Sequence, residues 1–445
     1  MRRISFDVTM SPVVRFAHFL LPIALAASPL IAEAQTDPVF STIPFDQWLS
    51  QGDQPHMRWN VRTSEPVLSA HQRLAEEIFA EVDGEELVKR RGKGQFLMLL
   101  QLADEKGRTW QSHQGIDLEH IGEGMKANDA LFSQLVFLLP GDYRVSIVIY
   151  ADATGEHSVI QRMLHVSPLK SDPLPGAWSD LPAVEIVPPS KPPDLWYLPS
   201  LEGKLRLTVA TREPVNVDLV VNLTPSEEFT GSTRVQNRNF EVLLPATKVL
   251  SQVNWENATF SLALLDISKR RVIYRQEKAP GRQDNTSGLD WPHASASLAE
   301  VNPGVIDVKS LENRQYSAEF FLAEIRRRIA PRRRTPRRSR VVIVLSSKVQ
   351  FASTQEVHPI VLNNPTDARV YYIRYQQPPR IVMGPPVVGR RGQILDGSFA
   401  ARRSYAAIDQ LEPLLKPLDP KLFEVGTPEQ FRKALATILA EIAKL

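Results

Sequence analysis

The chain has 445 residues, 43% of them hydrophobic and 23% charged, with a formal net charge of +3. That length calls for roughly two to three domains, and so small a charge excludes a global polyanion-binding character, leaving only local clusters to attract charged partners. The absence of cysteine excludes disulfides, thiolate metal sites, cysteine nucleophiles and a lipidated N-terminal cysteine.

Arg2, Arg3 and Arg15 precede an apolar run from Phe19 to Ile31, and Ala32-Glu33-Ala34 places small residues at the two positions a signal peptidase reads. Residues 1–34 therefore read as a cleavable export signal, and the mature chain is expected to be periplasmic or secreted. The apolar run contains Pro22 and Pro29 and is shorter than the ~20 residues of a membrane span. No later segment is long and apolar enough to span, so the mature chain is expected to have no transmembrane segment. Residues 35–55 read as a polar, irregular lead-in.

From about residue 56 to 167 the pattern is β. Gln95 to Leu102 is an apolar run between glycine- and charge-rich turns. Leu135 to Leu139, Tyr143 to Tyr150 and Ser158 to Val166 follow at close spacing, separated by Pro140-Gly141-Asp142 and by Ala153-Thr154-Gly155-Glu156. Short strands so spaced predict an antiparallel, immunoglobulin-like β-sandwich. Leu74 to Val88 fits helix or strand equally. Residues 168–203 carry nine prolines between Pro168 and Pro199 and read as a stiff linker. Trp178, Trp196 and Tyr197 within it suggest that it packs along a domain.

From residue 204 to 445 strands alternate with helices. Val215 to Val221, Val341 to Leu345, Val370 to Tyr375 and Leu422 to Val425 read as strands, and Thr259 to Ile267 with Val272 to Gln276 as a hairpin. The Val341–Leu345 run is continuously β-branched or leucine, the mark of a strand covered on both faces. Helical spacing joins Phe240, Leu243, Leu244, Thr247 and Leu250, and again Ala318, Phe321, Leu322, Ile325 and Ile329. Thr427-Pro428-Glu429-Gln430 predicts a capping box for a last helix whose apolar stripe is Phe431, Ala434, Leu435, Ile438, Leu439 and Ile442. The alternation implies a doubly wound, mostly parallel sheet with helices on both faces, giving a fold class of α/β plus all-β.

In the order of its elements, residues 205–445 resemble a von Willebrand factor type A domain, in the divergent form found behind a β-sandwich in exported bacterial proteins. The resemblance implies a divalent-metal loop, Asp-x-Ser-x-Ser, after the first strand, with a second aspartate at the end of the central strand and a partner carboxylate completing the metal. Here the loop is Asn222-Leu223-Thr224-Pro225-Ser226, and the central strand ends in Ser346-Ser347. Magnesium sites usually include one or two carboxylates. A carboxylate 4 Å from a dication contributes roughly 8 kcal/mol gross at an effective dielectric of 20. With both carboxylates gone, no metal is expected. Thr224-Pro225-Ser226-Glu227 is also a helix-start signature. Asp266 and Ser268 match the loop in part but fall in the expected hairpin.

The nine histidines show no His-Glu-x-x-His spacing, and no nucleophile elbow, Walker loop or dinucleotide glycine pattern occurs. No catalytic residue and no cofactor is expected. Nine arginines lie between residues 326 and 340, among them Arg332, Arg333, Arg334, Arg337 and Arg338, and Pro331 and Pro336 break helix there. Such a loop is either a solvated connection or an anion patch for acidic lipid or polysaccharide. Nucleic acid is not expected, because no aromatics are interleaved for stacking. The proline- and glycine-rich stretch 376–397 reads as a binding-face loop or a disordered insertion. These features lead to the expectation of an exported, non-catalytic protein-interaction or scaffold protein of the cell envelope. Its candidate binding face is Asn222, Thr224, Ser226, Ser346 and Ser347. The alternatives are an anion binder acting through the arginine loop and an uncharacterised hydrolase.

Overall fold

The computed structural model describes residues 36–52, 57–92, 94–188, 198–224, 238–280, 289–301, 316–330, 339–349, 368–376, 387–388, 394–395 and 409–445. The expected export signal at 1–34 lies outside them, as does most of the stretch 376–397. Among the described residues no helix is long and apolar enough to cross a membrane.

Two antiparallel sheets form the first half. One orders β1 (Trp59–Thr63), β3 (Leu74–Asp83), β6 (Asp129–Leu138) and β9 (Val184–Ile186), with β2 (Val67–Leu68) also paired to β3. The other orders β5 (Thr109–Asp117), β4 (Gln95–Asp104), β7 (Gly141–Ala151) and β8 (Glu156–Val166). Their facing sides share a core in which Ile78, Ala80, Val82 and Val136 join Met98, Leu100, Val145 and Ile147. The β4 run is apolar without interruption because both of its faces are covered. Leu97 and Leu99 pack outward against Phe40, Phe45 and Trp48. The lead-in is therefore not irregular throughout: it holds α1 (Phe45–Gln51) and closes the outer face of the second sheet. Burying Phe40 and Phe45 there contributes about 1.5–3 kcal/mol each.

The ambiguous stretch 74–88 divides at Asp83. Burial alternates along β3, and Asp83 then caps α2 (Gly84–Lys89) by accepting from the Glu85 N–H at 2.8 Å. Gly84 is required by close approach: a Cβ there would lie 1.9 Å from the Met125 carbonyl oxygen and 2.1 Å from that of Asn128.

Part of the proline-rich segment is built into the layers it joins. β9 is an edge strand, the position in a sheet that proline-rich chain can occupy. The half-buried Trp178 packs against the sandwich core and also against the core of the second half. Arg432, 1% exposed, is bidentate to Asp172 at 2.6 and 2.8 Å and lies over the Trp178 ring.

Among the described residues the second half is built on a six-stranded sheet. Its order is β12 (Arg271–Pro280), β11 (Asn254–Asp266), β10 (Thr208–Asn222), β13 (Ser339–Ser347), β14 (Ala368–Tyr375), β17 (Lys421–Val425). All neighbours are parallel except β12, which returns antiparallel to β11. A separate pair, β15 (Val387–Val388) and β16 (Ile394–Leu395), is antiparallel. On one face Val341, Ile343 and Leu345 of β13 meet α3 (Arg238–Ser251), α4 (Trp291–Ala299) and α7 (Pro428–Ile442). On the other, Val342 and Val344 meet α5 (Ser317–Ile329) and α6 (Leu411–Leu415). The β-branched run is thus covered on both sides, as a parallel sheet requires.

The cap of α7 differs from the expected box in one arm. Thr427 accepts from the Gln430 N–H at 3.3 Å, but the Gln430 side chain accepts from Gly426, one residue before the cap.

Candidate functional site

In an open α/β sheet, ligands meet the carboxyl ends of the strands where the strand order reverses. Here the reversal falls between β10 and β13. Side chains on a strand alternate between faces, so Asn222, Ser346 and Arg374 end their strands on the same face as Val220, Val344 and Tyr372. Pairing sets Ser346 opposite Arg374, and Arg374 opposite Glu424. Asn222, next after the Val221–Leu345 pair, reaches Ser346 directly. A polar row, Asn222–Ser346–Arg374–Glu424, therefore crosses the carboxyl edge of four strands.

The neutral end of the row is closed on itself. The Asn222 amide donates to the Ser346 hydroxyl at 3.0 Å, and that hydroxyl donates to the Ser347 carbonyl at 2.7 Å. The Thr224 hydroxyl donates to Asn222 Oδ1 at 2.6 Å while accepting from the Ile267 N–H at 2.7 Å. Asn222, Ser346 and Ser347 are buried, and Thr224 is half-buried. Ser226 lies outside the described residues. Asp266, though buried, turns toward its own hairpin, where it accepts from the Ser268 hydroxyl and the Lys269 N–H. Asn222, Thr224, Ser346 and Ser347 do not fit a divalent cation: they are neutral, and they are engaged with one another and with backbone groups.

The other end carries fixed charge. Arg374 is ion-paired to Asp409 at 3.1 Å and also to Glu412 and Glu424. Asp409 further accepts from the Tyr372 hydroxyl at 2.9 Å and the Leu411 N–H at 3.1 Å. Burial works against the Arg374 charge, but hydrogen bonds to Glu424, Asp409 and Glu412 outweigh it and raise its pKa. Burial first, then the Asp409 charge, raises that of the Tyr372 phenol. Glu412 and Glu424 keep about half of their side-chain surface exposed, so they are the part of the row a partner can reach.

Sequence reasoning named Asn222 and Ser346 but missed Arg374 and its carboxylates. The one signal was an arginine at an inward position of the β14 pattern Val370-Tyr371-Tyr372-Ile373-Arg374-Tyr375. Asp409 is distant in sequence, and no spacing rule joins it to Arg374.

Arg332, Arg333, Arg334, Arg337 and Arg338 lie outside the described residues. Three of their flanking arginines are tied down. Arg327 pairs with Glu277, and Arg328 pairs with Asp218 at 3.3 Å. Arg340 donates to the Ile329 and Ala330 carbonyls at the end of α5. Asp117, Glu119 and His120 gather potential ligand atoms within 4.8 Å, all exposed. A groove of about 480 Å³ opens beside α7 and the start of β10. Among the described residues Arg206 is its one ionisable side chain, so they offer no acid and base pair there.

No protein-family description matches the sequence, and no curated protein matches it. Among solved structures, a glycosyl hydrolase family 2 member from Bacteroides cellulosilyticus DSM 14838 aligns at 10% identity and a TM-score of 0.18, covering 72% of this chain and 42% of its own. A second glycosyl hydrolase family 2 structure from Bacteroides cellulosilyticus aligns at 10% identity and the same TM-score, over 66% of this chain and 35% of its own. The chain spans less than half the length of either. Likeness at this level carries no argument about fold or activity.

Proposed function

We propose that the protein is an exported, non-catalytic interaction protein of the cell envelope. In this reading residues 56–167 with the edge strand β9 form an immunoglobulin-like sandwich, the rest of 168–203 its connector, and 204–445 a von Willebrand factor type A-like domain with a degenerate metal site. The doubly wound strand order with a reversed strand at one edge supports the domain assignment. The observation that carries the functional reading is the row at the switch point. Two neutral side chains stand where the resemblance implies carboxylates, and the carboxylates beside them, Asp409, Glu412 and Glu424, are engaged by the Arg374 guanidinium. A partner would then be held by direct contact with the strand-end face, through Thr224, Glu412 and Glu424, without a bridging ion.

The chain lacks cysteine, so single cysteines at Thr224, Glu412 and Glu424 allow a photoreactive label on this face alone. Labelled protein mixed with envelope extract is expected to give one discrete adduct that persists in high salt and in chelator. Labels at Arg162 on β8 serve as the control. Adducts from the control position only, or adducts that need divalent metal, would overturn the reading.

A further inference from the structure

The turn between β2 and β3, Ser69–Arg73, is where the sandwich is seated in the rest of the chain. Gln72, with no exposed surface, adopts φ +60°, a left-handed conformation unusual for a glutamine. Its side chain donates to the Pro428 carbonyl at the start of α7 at 3.0 Å, and its carbonyl accepts from the Trp178 indole at 2.8 Å. Arg73, 4% exposed, pairs with Glu185 of β9 at 2.6 Å and lies over the Phe137 ring. Glu185 in turn accepts from the Gly203 N–H at 3.3 Å. His71 meets the edge of Phe137, with ring centroids 5.7 Å apart, and Lys248 of α3 donates to the Pro199 carbonyl at 3.0 Å. A single short turn thus touches α7, β9 and the connector, and lies within the field of the Lys248 cation of α3.

The charges of this seat do not balance. The groups acting on His71 are Lys248 and Arg73, both cationic, and Glu185 is the carboxylate that acts on Arg73 and on Lys248. A proton on His71 would add a third positive charge against that one carboxylate. We infer that this turn is an acid-sensitive latch: protonation of His71 drives it from its seat and lets the sandwich swing away from the α/β layers.

Burial, then Lys248 and Arg73, push the imidazole from its ordinary 6.5 to about 3 while the turn is seated. Swinging away takes Lys248 and the α/β layers from His71, while Arg73 of the same turn and Phe137 of the same sandwich stay with it, so its pKa rises back toward 6.5. The released form therefore binds up to one more proton than the seated form between those values. The released-to-seated ratio rises by up to about tenfold for each pH unit of acidification in that window. The left-handed Gln72 adds backbone strain that release relieves.

The test is a distance measurement between spin labels on cysteines replacing two exposed residues, Arg162 of β8 and Lys433 of α7, in the mature chain. At pH 7.5 one narrow distance is expected. At pH 4.5 the distribution broadens while far-UV circular dichroism is unchanged. His71→Phe keeps the narrow distance at pH 4.5, and Lys248→Met moves the onset of broadening to lower pH. The second variant carries the test if the first does not fold. The inference is overturned if the wild type stays narrow, if His71→Phe broadens as the wild type does, if Lys248→Met leaves the onset unmoved, or if broadening only accompanies loss of secondary structure.

Discussion

Glu76 gives the sharpest quantitative prediction. It lies on the inner face of β3 between Leu74 and Ile78, 1% exposed, and among the described residues neither carboxylate oxygen has a hydrogen-bond partner. Burial raises its carboxyl from 4.5 to about 7. The folded form holds the proton more tightly than the unfolded chain, so its stabilising contribution is complete below pH 4.5 and is lost as pH rises through about 7. The gap corresponds to at most about 3 kcal/mol, at about 1.4 kcal/mol per pH unit. Glu76→Gln removes the titration and keeps the shape. Urea denaturation of wild type and variant from pH 4.5 to 8.5 should show the variant gaining up to about 3 kcal/mol on the wild type across that range. Other titrations, including that of His71, cancel in the difference. A difference between the two proteins that is flat with pH would refute the assignment of a buried, protonated carboxyl to the sandwich core.

Two further substitutions test the frame around the row and the sandwich. Arg374→Met leaves Asp409 buried without its countercharge and is expected to cost about 3–5 kcal/mol in urea denaturation, with part recovered by Asp409→Asn in the same chain. Equal stability of the single and double variants would show that the pair is not what holds β14 to the segment before α6. Gly84→Ala drives a methyl into the Met125 and Asn128 carbonyls and should lower stability by about 1–3 kcal/mol or more. A change within about 0.5 kcal/mol, the size usual for surface substitutions, would mean that the 122–128 loop is not packed there.

Much of the scaffold was legible because single-residue patterns encode it. The β13 run from Val341 to Leu345 reads as covered on both faces, and it is. The Phe431–Ile442 stripe, the hairpin of β11 and β12, and the helix around Phe321 follow from period alone. The elements that were missed lack that internal signal. β5, Thr-Trp-Gln-Ser-His-Gln-Gly-Ile-Asp, is largely polar and pairs at the edge of its sheet. β9 hides among prolines because an edge strand tolerates them. Phe40, Phe45 and Trp48 looked like part of a polar lead-in, and only the outer face of β4 gives them a partner. At the candidate site the same limit applies. Asn222 and Ser346 could be matched to a motif, whereas the ion-pair cluster around Arg374 is assembled from Asp409, Glu412 and Glu424 by tertiary folding, which no local spacing reports.

A row closed by Asn222 and Ser346, with its neighbouring carboxylates engaged by Arg374, should have no affinity for a divalent cation. Calorimetric titration of the wild-type chain with magnesium and with manganese measures this directly. The predicted result is heat of dilution only. Saturable one-site binding that Thr224→Ala abolishes would contradict it.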